Sequence, residues 1–386
     1  MHILLVCCSF VNSENEPMTG MPKAVLLNAS GLKSRGHDVK ILTTGNKDRQ
    51  WTCKGIDIIS FGRPVSVTAS TNKILIGTIK REHGFTCKIR KLKSEWGIDV
   101  IQYAGLWGTG LFRNRDVPAI MRVSGYTKLQ RGVGKGESAV KVLTFMDQVA
   151  TRKMDAVFCP SNMFAKELSQ DTGRKMGVLE TPFIEEKVIE SDRVYRKFLD
   201  RKKYILYIGR ISWDKGFPVL SNTAFDLLEK HSDLHIVVAG ESVKGNSSFK
   251  NEMVHKAGKY AGRVHFLGML SHARLYPIIK NSEAVVLPSM VDNLPNSCME
   301  AMSLGAIVIG TNGASFEQLI IDGENGFLSE IGDAESLKLK IDDCIDLDDE
   351  NRAKMSLRAQ ETIKKLDLES YLDSLENIYK KVMEHA

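Results

Sequence analysis

The sequence predicts an α/β chain of two doubly wound domains that face each other across a cleft. Three observations predict it. The 386 residues exceed what one ordinary core fills and suit two. Short apolar runs alternate with amphipathic stretches in two successive series. Between the series lies Glu185–Lys202, a charged stretch without a sustained apolar run, which reads as the interdomain linker. The expected division is residues 1–190 as one domain, 191–369 as a second, and 370–386 as a helix packing back toward the first domain.

The elements follow in order. Ile3–Cys8 is an apolar run of the kind buried on both faces of a parallel sheet. From Pro22 the apolar positions Ala24, Val25, Leu26, Ala29 and Leu32 recur at helical spacing, Gly36 closes that helix, and Val39–Thr43 is the next strand. Ile58–Phe61, Val100–Tyr103, Ala119–Val123 and Ala156–Cys159 complete the first series of strands. Tyr204–Ile208 restarts the alternation, followed by Ile236–Ala239, His265–Leu267, Ala284–Leu287 and Ile307–Ile309. Near the end Tyr371, Leu372, Leu375, Ile378, Tyr379 and Val382 form one helical stripe. Ligands of doubly wound sheets bind at the C-terminal ends of the strands.

Composition narrows the chemistry. No apolar run approaches the ~18–20 residues that span a bilayer, and Met1–Val6 reads as a first strand and not as a secretory leader. Seven cysteines without CxxC or Cys/His spacing suit reduced thiols, so the expected setting is cytoplasmic and no zinc site is expected. The net charge of +6 conceals an asymmetry: residues 1–200 carry +11 and the remainder −5. The first half is therefore expected to meet something anionic.

Several stock motifs are missing. No GxGxxG follows the first strand, and neither HExxH nor GxSxG occurs. Gly132-Val133-Gly134-Lys135-Gly136 has no Ser or Thr after its lysine, so it reads as a mobile cleft loop and not as a Walker A loop. Asp346-Leu347-Asp348 reads as charged helical surface, and no Asp-x-Asp stands at a strand end to hold a metal.

Two segments carry chemistry. Gly209-Arg210-Ile211-Ser212-Trp213-Asp214-Lys215-Gly216 follows a strand directly. Its glycines allow close backbone approach, and Arg210 with Lys215 can converge on one anion such as a leaving diphosphate. In Leu287–Met302, Pro295 suits a first helical turn, and the Asn296, Ser297 and Cys298 amides then face a phosphate. Of Asp292 and Glu300, one carboxylate can reach a sugar ring while the other binds a ribose diol. Taken singly, each feature is also explained by exposed surface charge or helix capping.

Together these segments resemble the retaining GT-B glycosyltransferases of family 4. That family carries a G-R-x4-K-G loop and a downstream P-S-x-x-E-x7-E-A-M pattern, matched here by Gly209–Gly216 and Pro288–Met302, with Asp292 at the first acidic place. Weaker likeness extends through Arg35–Val39, Cys159–Asn162, Gly240-Glu241, Phe266–Gly268 and Asn325–Leu328. The resemblance implies two Rossmann-like domains in the GT-B arrangement. It implies that Arg210 and Lys215 hold the donor diphosphate and that Glu300 holds the ribose. Asp292 would touch the transferred sugar, and the backbone at Asn296–Ser297 would meet phosphate or sugar. Gly209 and Gly240 would line the donor site, Phe266 and Leu267 would offer backbone to the base, and Gly20 would close over the diphosphate. Transfer would be front-face with retention and without metal or other cofactor. Two departures fall in the acceptor half: Ser124 stands where the family often has histidine, and Glu180-Thr181-Pro182-Phe183 replaces an Asn-Gly or Asn-Pro.

The expected function is transfer from a nucleotide-sugar, UDP-linked by preference, to a saccharide hydroxyl in bacterial surface polysaccharide or lipopolysaccharide synthesis. The alternatives are a small soluble acceptor such as an aminocyclitol, a sugar-nucleotide epimerase, and a non-catalytic sugar-binding protein. Asn72–Trp96 interleaves Lys73, Lys80, Arg81, Lys88, Arg90, Lys91 and Lys93 with apolar residues, and Lys128, Arg131, Lys135 and Lys141 add to the basic half. That pattern suits a helix on an anionic membrane, peripheral on the inner face, beside a lipid-diphosphate-linked acceptor. No nucleic-acid reader motif is visible.

Overall fold

A computed structural model describes residues 1–11, 20–62, 71–129, 136–242 and 248–385. The chain divides into two compact units, Met1–Thr181 with Leu368–Ala386, and Pro182–Asp367. The stretch read as a linker therefore belongs, from Glu185 onward, to the second unit.

The first unit runs β1 (His2–Val6), α1 (Met21–Ser34), β2 (Asp38–Gly45), β3 (Arg49–Cys53), β4 (Ile56–Gly62), α2 (Thr71–Trp96), β5 (Val100–Gly105), β6 (Ala119–Val123), α3 (Glu137–Arg152), β7 (Ala156–Cys159), α4 (Asn162–Thr172) and β8 (Gly177–Val178). Its eight strands lie in the order β3-β4-β2-β1-β5-β6-β7-β8. Every pairing is parallel except β3 with β4. Periodicity missed β3 because its apolar residues are few. The turn that creates it, Lys54-Gly55, has φ of 46° and 74°, the left-handed pair that tight hairpins require.

The second unit runs α5 (Arg193–Phe198), β9 (Lys203–Ile208), α6 (Phe217–Lys230), β10 (Leu234–Ala239), α7 (Ser248–Ala257), β11 (Val264–Gly268), α8 (His272–Lys280), β12 (Ala284–Val286), α9 (Asn296–Ser303), β13 (Val308–Thr311), β14 (Phe327–Ser329), α10 (Ala334–Ile345) and α11 (Asp349–Lys364). Its parallel sheet has the order β11-β10-β9-β12-β13-β14. Alternate residues of β9 serve opposite cores. Tyr204 and Leu206 pack with α8 and α9, whereas Ile205 and Tyr207 pack with α6 and α10. Such burial on both faces is why these strands read as continuous apolar runs. Asp346–Asp348 is a connection and not helix interior, with Asp348 capping α11 by accepting from the Asn351 amide at 2.8 Å.

The chain ends in α12 (Leu368–Glu384), whose Tyr371, Leu372, Leu375, Tyr379 and Val382 are buried among β1, α1 and β5 residues of the first unit. The Tyr379 hydroxyl donates to Gln102 Oε1 at 2.5 Å. At the surface Arg35 bonds Glu369 and Asp373, and His37 meets Glu376 at 3.0 Å.

Helix α2 differs from its expected role. Ile74, Phe85 and Ile89, part of the apolar stripe read as membrane-facing, are buried in the first unit. Arg81, counted among the surface cations, is 1% exposed and paired with equally buried Glu82 at 2.9 Å. Lys88 pairs with Asp48 at 2.8 Å, Lys91 with Glu95 at 3.6 Å, and Lys93 donates to the Asp116 carbonyl at 3.1 Å. Arg90 is exposed, as are Lys73, Lys80, Ile76 and Ile79. Among the described residues no helix is long and apolar enough to cross a membrane. All seven cysteines are free thiols.

Candidate functional site

In the second sheet β9 lies between β10 and β12, so the strand order reverses at the β9–β12 pair. That reversal leaves a crevice at the C-terminal ends of the strands where the two following loops diverge. The two loops are Gly209–Gly216 after β9 and Leu287–Pro295 after β12, the segments singled out from sequence.

The structure brings them into contact. Lys215 Nζ pairs with Asp292 Oδ2 across 77 positions of sequence, and the Met290 amide donates to the Asp214 carbonyl at 2.9 Å. Gly216 makes the approach possible: its φ is 65°, and a Cβ there would stand 1.6 Å from the Pro288 carbonyl oxygen. Gly240 has the equivalent role toward the third neighbour, since a Cβ would fall 1.8 Å from the Gly209 carbonyl oxygen. Its closeness lets Gly209 N donate to Ala239 O at 3.1 Å and Ile211 N to Glu241 O at 2.9 Å. The place of Gly240 is thus explained by loop packing.

Tyr207, which sequence reasoning passed over, supports the first loop from beneath. Its buried hydroxyl donates to the Arg210 carbonyl at 2.6 Å. Burial, with the Asp214 carboxylate nearby, holds its pKa well above the ordinary phenol value, so it remains a donor. The Arg210 guanidinium, half exposed, bonds Asp214 Oδ2 at 2.8 Å. Both cations therefore carry a carboxylate partner, with which any anion bound there would compete.

Asp292 is braced from several directions. Its Oδ1 accepts from the Asn293 amide at 2.9 Å, and its carbonyl accepts from the Ser315 hydroxyl at 2.9 Å. The loop turns back through Leu294 at φ 65°, a strained backbone held by its buried side chain. Pro295 is the N-cap of α9 and not its first helical residue. Its carbonyl accepts from Cys298 N at 3.1 Å and Met299 N at 3.2 Å, so Cys298 N–H is not offered outward as expected. Asn296 and Ser297 open the first turn, where backbone amides have no acceptor within the helix.

Glu300 lies one turn further along α9, 14% exposed. His272 at the start of α8 approaches it, Nε2 to Oε1 at 3.8 Å. The other ring nitrogen of His272 bonds Glu186 Oε2 at 2.6 Å, and the ring stacks on Tyr276. Burial pushes the Tyr276 phenol up to about 12, reinforced by Glu300 and Glu186. Neither His272 nor Glu186 belonged to a motif, and only folding places them beside Glu300.

Phe266 and Leu267 lie on β11, the edge of the sheet. Val238 pairs with Phe266 but Ala239 with Gly268, so Leu267 is a bulge with no opposite residue. A bulge on an edge strand leaves backbone groups unpaired, which suits hydrogen bonding to a flat heterocycle. Lys250 reaches Glu241 at 3.0 Å and lies 5.8 Å above the Phe266 ring.

The remaining expected residues belong to the first unit. Gly20, at φ 59°, is the N-cap of α1, with open space where a Cβ would be. Ser124 follows β6 and accepts from Arg122 at 3.3 Å. Lys88, Arg90, Lys91 and Lys93 lie on α2. Of the glycine-rich loop only Gly136, the N-cap of α3, falls within the described residues; Arg131 and Lys135 fall outside them. Among the described residues no group of three or more His, Cys, Asp or Glu side chains is placed to hold a metal ion.

Residues 188–362 match the family model described as glycosyl transferases group 1. The chain is 26% identical over 136 residues to the 2-deoxystreptamine N-acetyl-D-glucosaminyltransferase of Niallia circulans, a stretch covering 35% of this chain and 34% of that one. The chain thus spans about a third of the length of that curated relative. Among solved structures, sucrose-phosphate synthase from Thermosynechococcus elongatus matches with a TM-score of 0.81 over 100% of both chains at 16% identity. Anabaena Alr3699/HepE in complex with UDP and glucose matches with a TM-score of 0.71 at 15% identity, over 99% of this chain and 100% of that one. The fold is GT-B.

Proposed function

We propose that the chain is a retaining GT-B glycosyltransferase of family 4 that moves a sugar from a UDP-linked donor to a saccharide hydroxyl. The observation that carries this reading is the meeting of the Gly209–Gly216 and Leu287–Pro295 loops at the switch point of the second sheet, with Lys215 against Asp292. The match of residues 188–362 to glycosyl transferases group 1 supports it, as does the UDP and glucose complex of a protein with the same fold.

In this reading Arg210 and Lys215 neutralise the diphosphate, assisted by the Asn296 and Ser297 amides at the positive end of α9. Glu300 accepts hydrogen bonds from the ribose diol, and Asp292 from a hydroxyl of the transferred sugar. The bulged backbone at Leu267 meets the base. The bond from the anomeric carbon to the diphosphate oxygen breaks, the acceptor oxygen bonds that carbon on the same face, and the acceptor proton passes to the departing phosphate. No metal or other cofactor takes part.

The acceptor is a lipid-diphosphate-linked saccharide in surface polysaccharide synthesis, with the chain in the cytoplasm at the inner membrane face. Since the interior apolar residues of α2 are buried, membrane contact rests on its exposed charges, Lys73, Lys80, Arg90 and Lys91. A second reading, a small soluble aminocyclitol acceptor, is favoured by the Niallia circulans relative, which is named for 2-deoxystreptamine.

Calorimetric titration with UDP, GDP and ADP in the presence of chelator tests the donor site. UDP is expected to bind wild type and to lose at least tenfold in Lys215→Ala. Failure of every nucleotide to bind the folded protein would overturn the reading. Sedimentation with anionic vesicles then separates the two acceptors, since only the lipid-linked one requires binding that charge reversal at Arg90 and Lys91 removes.

A further inference from the structure

The first unit contains a buried cation with no counter-ion among the described residues. Arg122, on β6, is 6% exposed. A guanidinium offers five N–H donors and stays charged at any physiological pH. Two of them reach oxygen, and both acceptors are neutral hydroxyls: Ser124 Oγ at 3.3 Å and Thr181 Oγ1 at 2.6 Å. Nε is buried without a partner.

Its other polar neighbours do not neutralise it. The Tyr371 phenol of α12 faces both Arg122 and Asn28 of α1, yet neither the phenol oxygen nor Asn28 Nδ2 completes a hydrogen bond of ordinary geometry. Burial raises the Tyr371 phenol and pushes the nearby Cys159 thiol up to about 12, so both are uncharged at neutral pH. Burying a charge without an opposite one is costly enough that proteins pair it, as the same unit does with Arg81 and Glu82.

The opening toward solvent is also defined. Ser124 and Thr181, which receive the guanidinium, are partly exposed, while Arg122 is not. Ser124 is the first residue beyond β6, at the C-terminal edge of the sheet, where doubly wound folds take ligands. A planar fork of donors beneath two hydroxyls suits the oxygen pair of a carboxylate or a phosphate.

We propose that Arg122, with Ser124 and Thr181 at its mouth, is an oxyanion receptor of the first unit, and that it holds a carboxylate or phosphate borne by the acceptor. The proposal rests on the glycosyltransferase reading only in assigning that anion to the acceptor.

Thermal unfolding of the full chain, saturated with UDP so that the second unit's anion site is filled, tests it. Glucuronate serves as the carboxylate probe and methyl phosphate as the phosphate probe. The expected result is that one of them raises the wild-type Tm in a saturable way and that Arg122→Met weakens this binding at least tenfold. Which probe acts identifies the source of the oxyanion. An equal rise in wild type and Arg122→Met, or no rise with either probe, would overturn the proposal and leave Arg122 a purely structural tie between β6, Thr181 and α12. Arg122→Gln, which keeps hydrogen-bonding capacity without charge, replaces the methionine variant if that one does not fold. Were UDP not to bind, the glycosyltransferase reading would fail, but the same comparison on the unliganded chain would still decide whether Arg122 is a receptor.

Discussion

Asp292→Asn is expected to tighten UDP binding while slowing transfer. Asp292 holds Lys215, the cation assigned to the diphosphate, so the two anions compete for one ammonium. Two unit charges 4 Å apart interact by about 4 kcal/mol at an effective dielectric of about 20. The Lys215 and Asp292 side chains are 25% and 15% exposed, so water screens part of that energy. Replacing the carboxylate by an amide leaves about 1–2 kcal/mol available to UDP, a factor of roughly 5–30 in affinity. The amide oxygen can still accept from the Asn293 amide, so the loop keeps its turn. The stability cost of losing this partly exposed pair is expected to stay below about 1 kcal/mol. Calorimetry on wild type, Asp292→Asn, Lys215→Ala and the double variant forms a thermodynamic cycle. The gain in the asparagine variant must vanish when Lys215 is absent. UDP binding no tighter in Asp292→Asn, or a gain that persists in the Lys215→Ala background, would refute competition for the ammonium.

Four further outcomes follow from the structure. Gly216→Ala forces a Cβ into the Pro288 carbonyl and strains a left-handed backbone, so it should cost about 1–3 kcal/mol and weaken UDP binding, measured by urea unfolding and calorimetry. Tyr207→Phe deletes the hydroxyl beneath the Arg210 carbonyl and should lower stability by about 1 kcal/mol, with a rise in donor KM. Glu82→Gln leaves Arg81 buried without its carboxylate and should destabilise the first unit by about 3–5 kcal/mol; a loss under about 1 kcal/mol would show the pair to be dispensable. His235 and His265 meet at 3.0 Å across β10 and β11, and burial holds both below the ordinary histidine pKa. They are neutral in the fold, so their contribution is complete above the unfolded value of about 6.5 and is lost as pH falls through the lowered folded values. Urea midpoints should therefore drop between pH 7.5 and 5, and His265→Gln should flatten that slope.

Much of the fold was legible because a parallel sheet covered on both faces demands apolar residues at nearly every strand position, Arg122 of β6 being an exception. Ala119–Val123 and Ala156–Cys159 match β6 and β7 at both ends for that reason. The hairpin strand β3 was not legible, since an edge strand with one wet face carries no such run, and its only signal was the Lys54-Gly55 turn. Pro295 was misplaced by one position because proline suits the first helical turn and the cap alike. The basic run of α2 misled at Arg81, because sequence shows Arg81 next to Glu82 but not that folding buries the pair together.

By itself the sequence determined the two sheets and the two chemical loops, because strand burial, glycine spacing and charged residues after a strand are local properties of the chain. The tertiary structure alone decided which distant charges meet: Lys215 with Asp292, His272 between Glu186 and Glu300, and Arg122 with no counter-ion among the described residues. Electrostatic partnership depends on distances of a few ångströms and on desolvation. Both are set by the packing of elements far apart in sequence, as the 77 positions between Lys215 and Asp292 illustrate.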